Sequence, residues 1–266
     1  MNPVPPLPAR SALITGAARR IGAALAEDLA AQGYCLHLHA HTSGALLEQV
    51  AEDLRTRHGV RVRTHLADLA DVTAVRRLVH DLTEDPHPPA LVINNASEFL
   101  GHYDRAECTD IDTVARTLMV NTAVPIALSG VAARGGNGHV VNITDAHTDL
   151  TCASHLPYDV SKAALTDATA RLAVLLAPSV RVNAVAPALV LPPPGAGEAE
   201  LHEMAGRAPL LRSAPLADIV AAVRFLTATG SVTGQTIMID SGAHLVWDSE
   251  SDLRPQPVPP HPDPAA

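Results

Sequence analysis

The 266-residue sequence is short of lysine, aromatic side chains, cysteine and long apolar runs, and each shortage excludes something. Of its 19 basic residues, 18 are arginine and one is lysine, Lys162. Only Tyr34, Phe99, Tyr103, Tyr158, Phe225 and Trp247 are aromatic, so a chain that is 47% hydrophobic has to build its core from Ala, Val, Leu and Ile. The cysteines Cys35, Cys108 and Cys152 are scattered without CxxC spacing, which points to a reducing compartment and no disulfide framework. Pro, Gly or charge interrupts every apolar run before the roughly 18 residues of a membrane helix, and the start MNPVPPLPAR lacks the pattern of a secretory signal. A net charge of −9 leaves no basic patch for nucleic acid. The expectation is a cytoplasmic protein with a small-molecule ligand, no nucleic-acid partner and no membrane.

What is present is an alternation. Ten of the 22 prolines fall in residues 1–10 and 253–266, and the stretches 1–10 and 248–266 read as disordered proline-rich tails. Between them, in 11–247, β-branched or apolar runs (SALIT, CLHLHA, VRVRTHLAD, LVINNAS, GHVVNIT, VRVNAVAP, GQTIMID) alternate with helix-period segments near 20–32, 43–58, 72–83, 110–130, 158–176 and 215–228. This order predicts a single-domain α/β fold, a Rossmann-type doubly wound parallel sheet of seven strands with helices on both faces. Ligands in that architecture bind at the carboxyl ends of the strands.

The first strand runs directly into Thr15-Gly16-Ala17-Ala18-Arg19-Arg20-Ile21-Gly22 and then a helix. Gly16 permits a tight turn, Gly22 permits close approach of helix and strand, and the helix N-terminus presents free N–H groups to a pyrophosphate. Asp68-Leu69 after the third strand and Asn94-Asn95-Ala96-Ser97 after the fourth lie where the adenine and sugar of a nucleotide would sit. After the second strand, where an NAD site presents an acid, the chain reads His39-Ala40-His41-Thr42-Ser43, while the guanidinium groups of Arg19 and Arg20 are placed to take a ribose phosphate. NADP(H) is therefore expected over NAD(H). His37 and His39 share a strand face, but no third ligand follows at sensible spacing, so no metal is expected.

Tyr158 and Lys162 stand one helical turn apart, so phenol and ammonium leave the same face. A fixed cation beside a phenol favours the phenolate and makes it a usable proton donor and acceptor near neutral pH. That the one lysine stands here, in a chain that otherwise writes arginine, marks it as functional.

Thr15-Gly16…Gly22, Asn94-Asn95-Ala96, Asn121 and Tyr158…Lys162, in this order and spacing, resemble the short-chain dehydrogenase/reductase family over about residues 11–247. The resemblance implies that Tyr158 is the acid/base, that Lys162 binds the nicotinamide ribose and tunes Tyr158, and that Asn121 holds a water of the proton relay. It also implies a cofactor site that includes Thr15, Gly16, Arg19, Arg20, Ile21, Gly22, His41, Thr42, Ser43, Asp68, Leu69, Asn95, Ala96, Ser97, Tyr158, Lys162 and Pro187. The family's usual Pro-Gly reads Pro187-Ala188 here. Helices near 110–130 and 158–176 and the strand at 234–240 are where relatives form homotetramers.

Thirteen residues before the tyrosine the family normally carries a serine, and this chain has Asp145. A carboxylate is a poor partner for a carbonyl oxygen gaining negative charge and suits a substrate that offers N–H donors. Asp145, Tyr158, Lys162, Arg20 in place of the loop's middle glycine, and Ser97-Glu98-Phe99 resemble the pteridine reductase branch, in which a Phe ring stacks on the pterin. The resemblance implies NADPH-dependent reduction of a pterin, either a dihydropterin or a dihydrofolate, with catalytic Asp145, Tyr158, Lys162 and Asn121. Its substrate contacts would be Arg20, Ser97, Phe99, Asp145, Tyr158 and Leu189, the last at the start of a Pro- and Gly-rich loop over 189–211 expected to close over the substrate. Two alternatives stay open: a ketone reductase of the same family with Thr144 as hydroxyl donor, and a non-catalytic NADP-binding protein. Asp149, His147 and His155 lie near the tyrosine without an assigned role.

Overall fold

Strand side chains in this protein alternate between two apolar layers, as a sheet covered on both faces requires. Ala12, Ile14, Leu91, Ile93, Val141 and Val185 face one cluster, while Leu13, Val92, Val140 and Val182 face the other. The computed structural model describes residues 10–99, 106–147, 155–188, 190, 197–206 and 208–245. It contains β1 (Ser11–Ile14), β2 (Cys35–Ala40), β3 (Val62–Leu66), β4 (Leu91–Asn94), β5 (Gly138–Ile143), β6 (Val180–Pro187) and β7 (Thr236–Ile239). The helices are α1 (Arg20–Ala31), α2 (Gly44–His58), α3 (Val72–Thr83), α4 (Ile111–Leu118), α5 (Val124–Ser129), α6 (Leu156–Leu175), α7 (Glu198–Ala205) and α8 (Leu216–Ala228).

All neighbouring strands pair in parallel, in the order β3-β2-β1-β4-β5-β6-β7. This is the doubly wound seven-stranded sheet expected from the alternation. The chain winds outward from β1 through β2 to β3, then returns to pair β4 against the other side of β1, so a crevice opens between the carboxyl ends of β1 and β4. Leu25, Leu29, Leu47, Leu54, Ile219 and Val223 of α1, α2 and α8 fill one layer; Val75, Leu78, Val124, Leu128, Ala168 and Leu172 of α3, α5 and α6 fill the other.

Two features differ from the sequence expectation. The stretch Ile111–Ala133 is continuous and apolar enough, by length and composition alone, to cross a membrane, although Arg116 and Pro125 divide it when it is read as sequence. Its Val120, Val124 and Leu128 are buried in the second layer, which is the composition of a core helix. Between α4 and α5 it passes through a single π turn, Met119–Ala123. The second difference lies in residues 189–211, expected as loop, where the helix-forming run EAELHEMA forms α7. Of the tails expected at 1–10 and 248–266 only Arg10 is among the described residues, and Leu189 and Asp149 lie outside them.

Candidate active site

At the crevice, Thr15 closes β1 onto β4. Its hydroxyl accepts from the backbone N–H groups of Asn95 at 3.0 Å and Ala96 at 2.9 Å, and Asn95 Nδ2 donates back to the carbonyls of Thr15 at 2.9 Å and Gly16 at 3.1 Å. Gly16 turns at φ +65°, and a Cβ on Gly22 would lie 2.2 Å from the Gly16 carbonyl oxygen. Both glycines are therefore required by backbone geometry; His39 takes the Gly16 and Ala17 amides, and the N-terminus of α1, which follows directly, is the end of the loop that favours an anion. Asn94, by contrast, turns inward and donates to Asn142 Oδ1 at 2.8 Å, a strut between β4 and β5.

Ser43 meets Arg19 at the far side of the loop, where the arginine Nη2 donates to its hydroxyl at 2.6 Å. The exposed Thr42 and His41 lie beside this pair, and His41 Nε2 stands 3.7 Å from Asp68. Leu69 and Ile21 direct their side chains into or against the apolar layers, so only their backbone is available to a ligand.

His37 and His39, the pair considered for a metal, are structural. The Ala67 carbonyl can only accept, so His39 Nε2 carries the proton at 3.0 Å and Nδ1 accepts from the Gly16 amide at 3.4 Å. Burial pushes its pKa down to about 4, which keeps the ring neutral in this arrangement. His37 stacks on His65 with a nitrogen–nitrogen distance of 3.0 Å. No group of three metal-binding side chains occurs among the described residues.

The Tyr158 hydroxyl donates to Asp145 Oδ2 at 2.9 Å. Lys162, 3% exposed, donates to the Ile143 carbonyl at 2.9 Å and lies 5.7 Å from the Tyr158 ring centroid. Burial lowers its pKa to about 8 against the opposing pull of Asp145. Burial of Asp145 works to raise its pKa, but hydrogen bonding and charge at His147, with the Tyr158 hydroxyl, outweigh it and hold the carboxyl below its ordinary range. The His147 amide donates to Asp145 Oδ1 at 2.8 Å. Thus the pair is a carboxylate with a phenol proton aimed at it. Asp159, next to Tyr158, behaves oppositely: burial and then the charge of Asp145 raise its pKa to about 7.

Asn121 sits on the π turn, fully buried. Its Oδ1 accepts from the Glu98 amide at 2.7 Å, and its Nδ2 donates to the Glu98 carbonyl and to Ser161 Oγ, each at 3.0 Å. Ser161 in turn donates to the Tyr158 carbonyl at 2.6 Å. Phe99 is 36% exposed and packs edge-on against Tyr158 at 4.8 Å and His155 at 5.3 Å between ring centroids. Ser97 is exposed beside it. The Pro187 carbonyl accepts from Ala146, which brings the end of β6 against the Asp145 segment. Thr144 is buried, its hydroxyl 3.5 Å from the Val185 carbonyl and turned toward β6.

Ser161, Asp159 and Arg116 belong to this site and were not singled out from sequence; Glu98 stood there only as part of the Ser97-Glu98-Phe99 motif, and His147 without an assigned role. Arg116, on α4, donates to Glu98 at 2.6 Å and to both oxygens of Asp68 at 3.3 and 3.4 Å. The positions of Asp159 and Ser161 between Tyr158 and Lys162, and of His147 two residues after Asp145, offered a signal; Arg116 meets Glu98 and Asp68 across sequence separations that no local pattern encodes.

The chain is similar over most of its length to proteins already known. Residues 16–244 match a family described as enoyl-(acyl carrier protein) reductase. The chain is 31% identical over 244 residues to the granaticin polyketide synthase putative ketoacyl reductase 2 of Streptomyces violaceoruber, covering 88% of this chain and 96% of that one. It is 29% identical over 256 residues to a dihydromonapterin reductase of Escherichia coli, covering 92% and 100%. The crystal structure of FolM alternative dihydrofolate reductase 1 from Brucella canis complexed with NADP superposes with a TM-score of 0.83 at 34% identity, covering 90% of this chain and 95% of that one.

Proposed function

The chain belongs to the short-chain dehydrogenase/reductase family, and from that premise we propose that it is an NADPH-dependent reductase of dihydropterin or dihydrofolate substrates. The observation that carries the reading is the Tyr158–Asp145 hydrogen bond. It puts an ionised carboxylate where the family's ketone-reducing members place a hydroxyl donor.

The glycine turn fits a dinucleotide, since any Cβ at Gly16 or Gly22 would fill the space its backbone needs. Thr15, Gly16, Arg20, Ile21 and Gly22 would hold the pyrophosphate end; Arg19, His41, Thr42 and Ser43 the ribose phosphate; Asp68, Leu69, Asn95, Ala96 and Ser97 the adenine and sugars. Tyr158, Lys162 and Pro187 would hold the nicotinamide end. Bound NADPH supplies a hydride to a ring carbon of a C=N bond. The reduced nitrogen then needs a proton, and Tyr158 is the group with one to give. Asp145, ionised, accepts N–H donors from the pterin and orients the phenol; Lys162 charges its surroundings; Phe99 offers a ring face for stacking.

NADPH oxidation with dihydrobiopterin, dihydromonapterin and dihydrofolate, set against a panel of ketones, tests the proposal; turnover of ketones alone overturns it. The ketoacyl reductase relative supports a second reading, reduction of a ketone with Thr144 as donor. Substituting each residue in turn separates the two. Asp145→Ala is expected to lower kcat/KM for pterins by about 10²-fold or more while Thr144→Ala stays within about threefold, and the reverse pattern supports the ketone reading. We also propose a homotetramer. Ile111, Ile126, Val160, Val174 and Leu175 expose apolar surface on the helices expected to meet, and sedimentation analysis measures the assembly.

A further inference from the structure

Arg116 touches both halves of the site. Its Nε donates to Glu98 at 2.6 Å, and its two terminal nitrogens span the carboxylate of Asp68 at 3.3 and 3.4 Å. Asp68 follows β3 on the adenine side, with His41 close by. Glu98 is on the substrate side: its backbone N–H and carbonyl are the two groups that grip the Asn121 amide, and the next residue is Phe99. From Asn121 the chain of bonds continues through Ser161 to the backbone of Tyr158.

The planar guanidinium suits this place. Its fork bonds one carboxylate with two nitrogens while the third meets another carboxylate, which an ammonium on a flexible stem reproduces only in part. The Glu98 side chain is 15% exposed, so its pairing with Arg116 is better shielded than an open surface pair. Without Arg116 the Glu98 carboxylate would lose the ion pair that joins it to Asp68.

We propose that Arg116 is a positioning residue that couples the cofactor end of the site to the substrate end, by tying Glu98, and with it Asn121 and Phe99, to Asp68. The inference rests on the nucleotide and pterin reading above. Arg116 donates no proton in the reaction; it sets where the Asn95–Phe99 segment stands when the nucleotide is bound.

The test compares Arg116→Gln, Arg116→Lys and Glu98→Gln with wild type. Kd for NADPH is measured by fluorescence, KM for dihydrobiopterin at saturating NADPH, and amide exchange by mass spectrometry on the NADPH-bound protein. Arg116→Gln is expected to raise substrate KM about tenfold with NADPH Kd within about threefold, and Arg116→Lys to recover part of the loss. Combining Arg116→Gln with Glu98→Gln adds less than the sum of the two, because they break the same link. Exchange at the Glu98 amide accelerates about tenfold in Arg116→Gln while amides of β5 are unchanged. Equal losses of NADPH and substrate affinity, full additivity, or an unchanged Glu98 amide overturn the proposal. If wild type reduces ketones and no pterin, the function proposed above fails while KM for the ketone still reads Arg116. If nothing turns over, the amide exchange decides alone.

Discussion

Arg20 stands at φ +54°, a conformation that costs a residue with a Cβ about 1 kcal/mol and that glycine adopts freely. The family's loop has glycine here, so the arginine is held in strain at the site it serves. Arg20→Gly is expected to raise the melting temperature by about 2–4 °C and to raise KM for NADPH and pterin, read by calorimetry and steady-state kinetics. Asp159 makes a second test at this scale. Unfolded, it titrates near its ordinary 3.8; folded, near 7, so between these values the native protein holds a proton that the unfolded chain has released. Stability contributed by this group therefore falls as pH rises across that window. Asp159→Asn is expected to stabilise the protein more at pH 8 than at pH 5 in urea titrations, and an equal gain at both would contradict the raised pKa.

Among the elements, α1 depends on one missing side chain. A Cβ on Gly22 would lie 2.2 Å from the Gly16 oxygen and 2.9 Å from Ala17 Cα, both backbone atoms, so the helix has to move off the strand to admit it. Gly22→Ala is expected to destabilise by about 2–3 kcal/mol in urea denaturation and to weaken NADPH binding. The same contrast between local and distant causes decides what the sequence disclosed. Strands buried on both faces stand out as apolar runs such as LVIN and GHVVNI, and α3 at Val72–Thr83 follows its apolar spacing. The π turn at Met119–Ala123 was not legible, because one extra residue per turn leaves the composition of a core helix unaltered. Nor was α7, whose helical run follows a stretch of proline and glycine that reads as loop.

For the whole molecule, the doubly wound parallel sheet was legible because one or two helices separate every pair of consecutive strands, and parallel crossovers then leave few arrangements. Tyr158, Lys162 and Asp145 were legible through their spacing; the Asp68–Arg116–Glu98 link was not, since it joins residues 48 and 18 positions apart. The composition that first set this chain apart has a practical use. An amine-directed acylating reagent finds a single lysine side chain in the sequence, and the fold leaves it 3% exposed. Acylation of Lys162 then requires the protein to open, so the mass added at that one position is a clock for global unfolding, built in without any engineered tag. Labelling of the native protein is expected to run at least about 10³-fold slower than in urea, and saturating NADPH to slow it further, by the factor that binding removes from the open population.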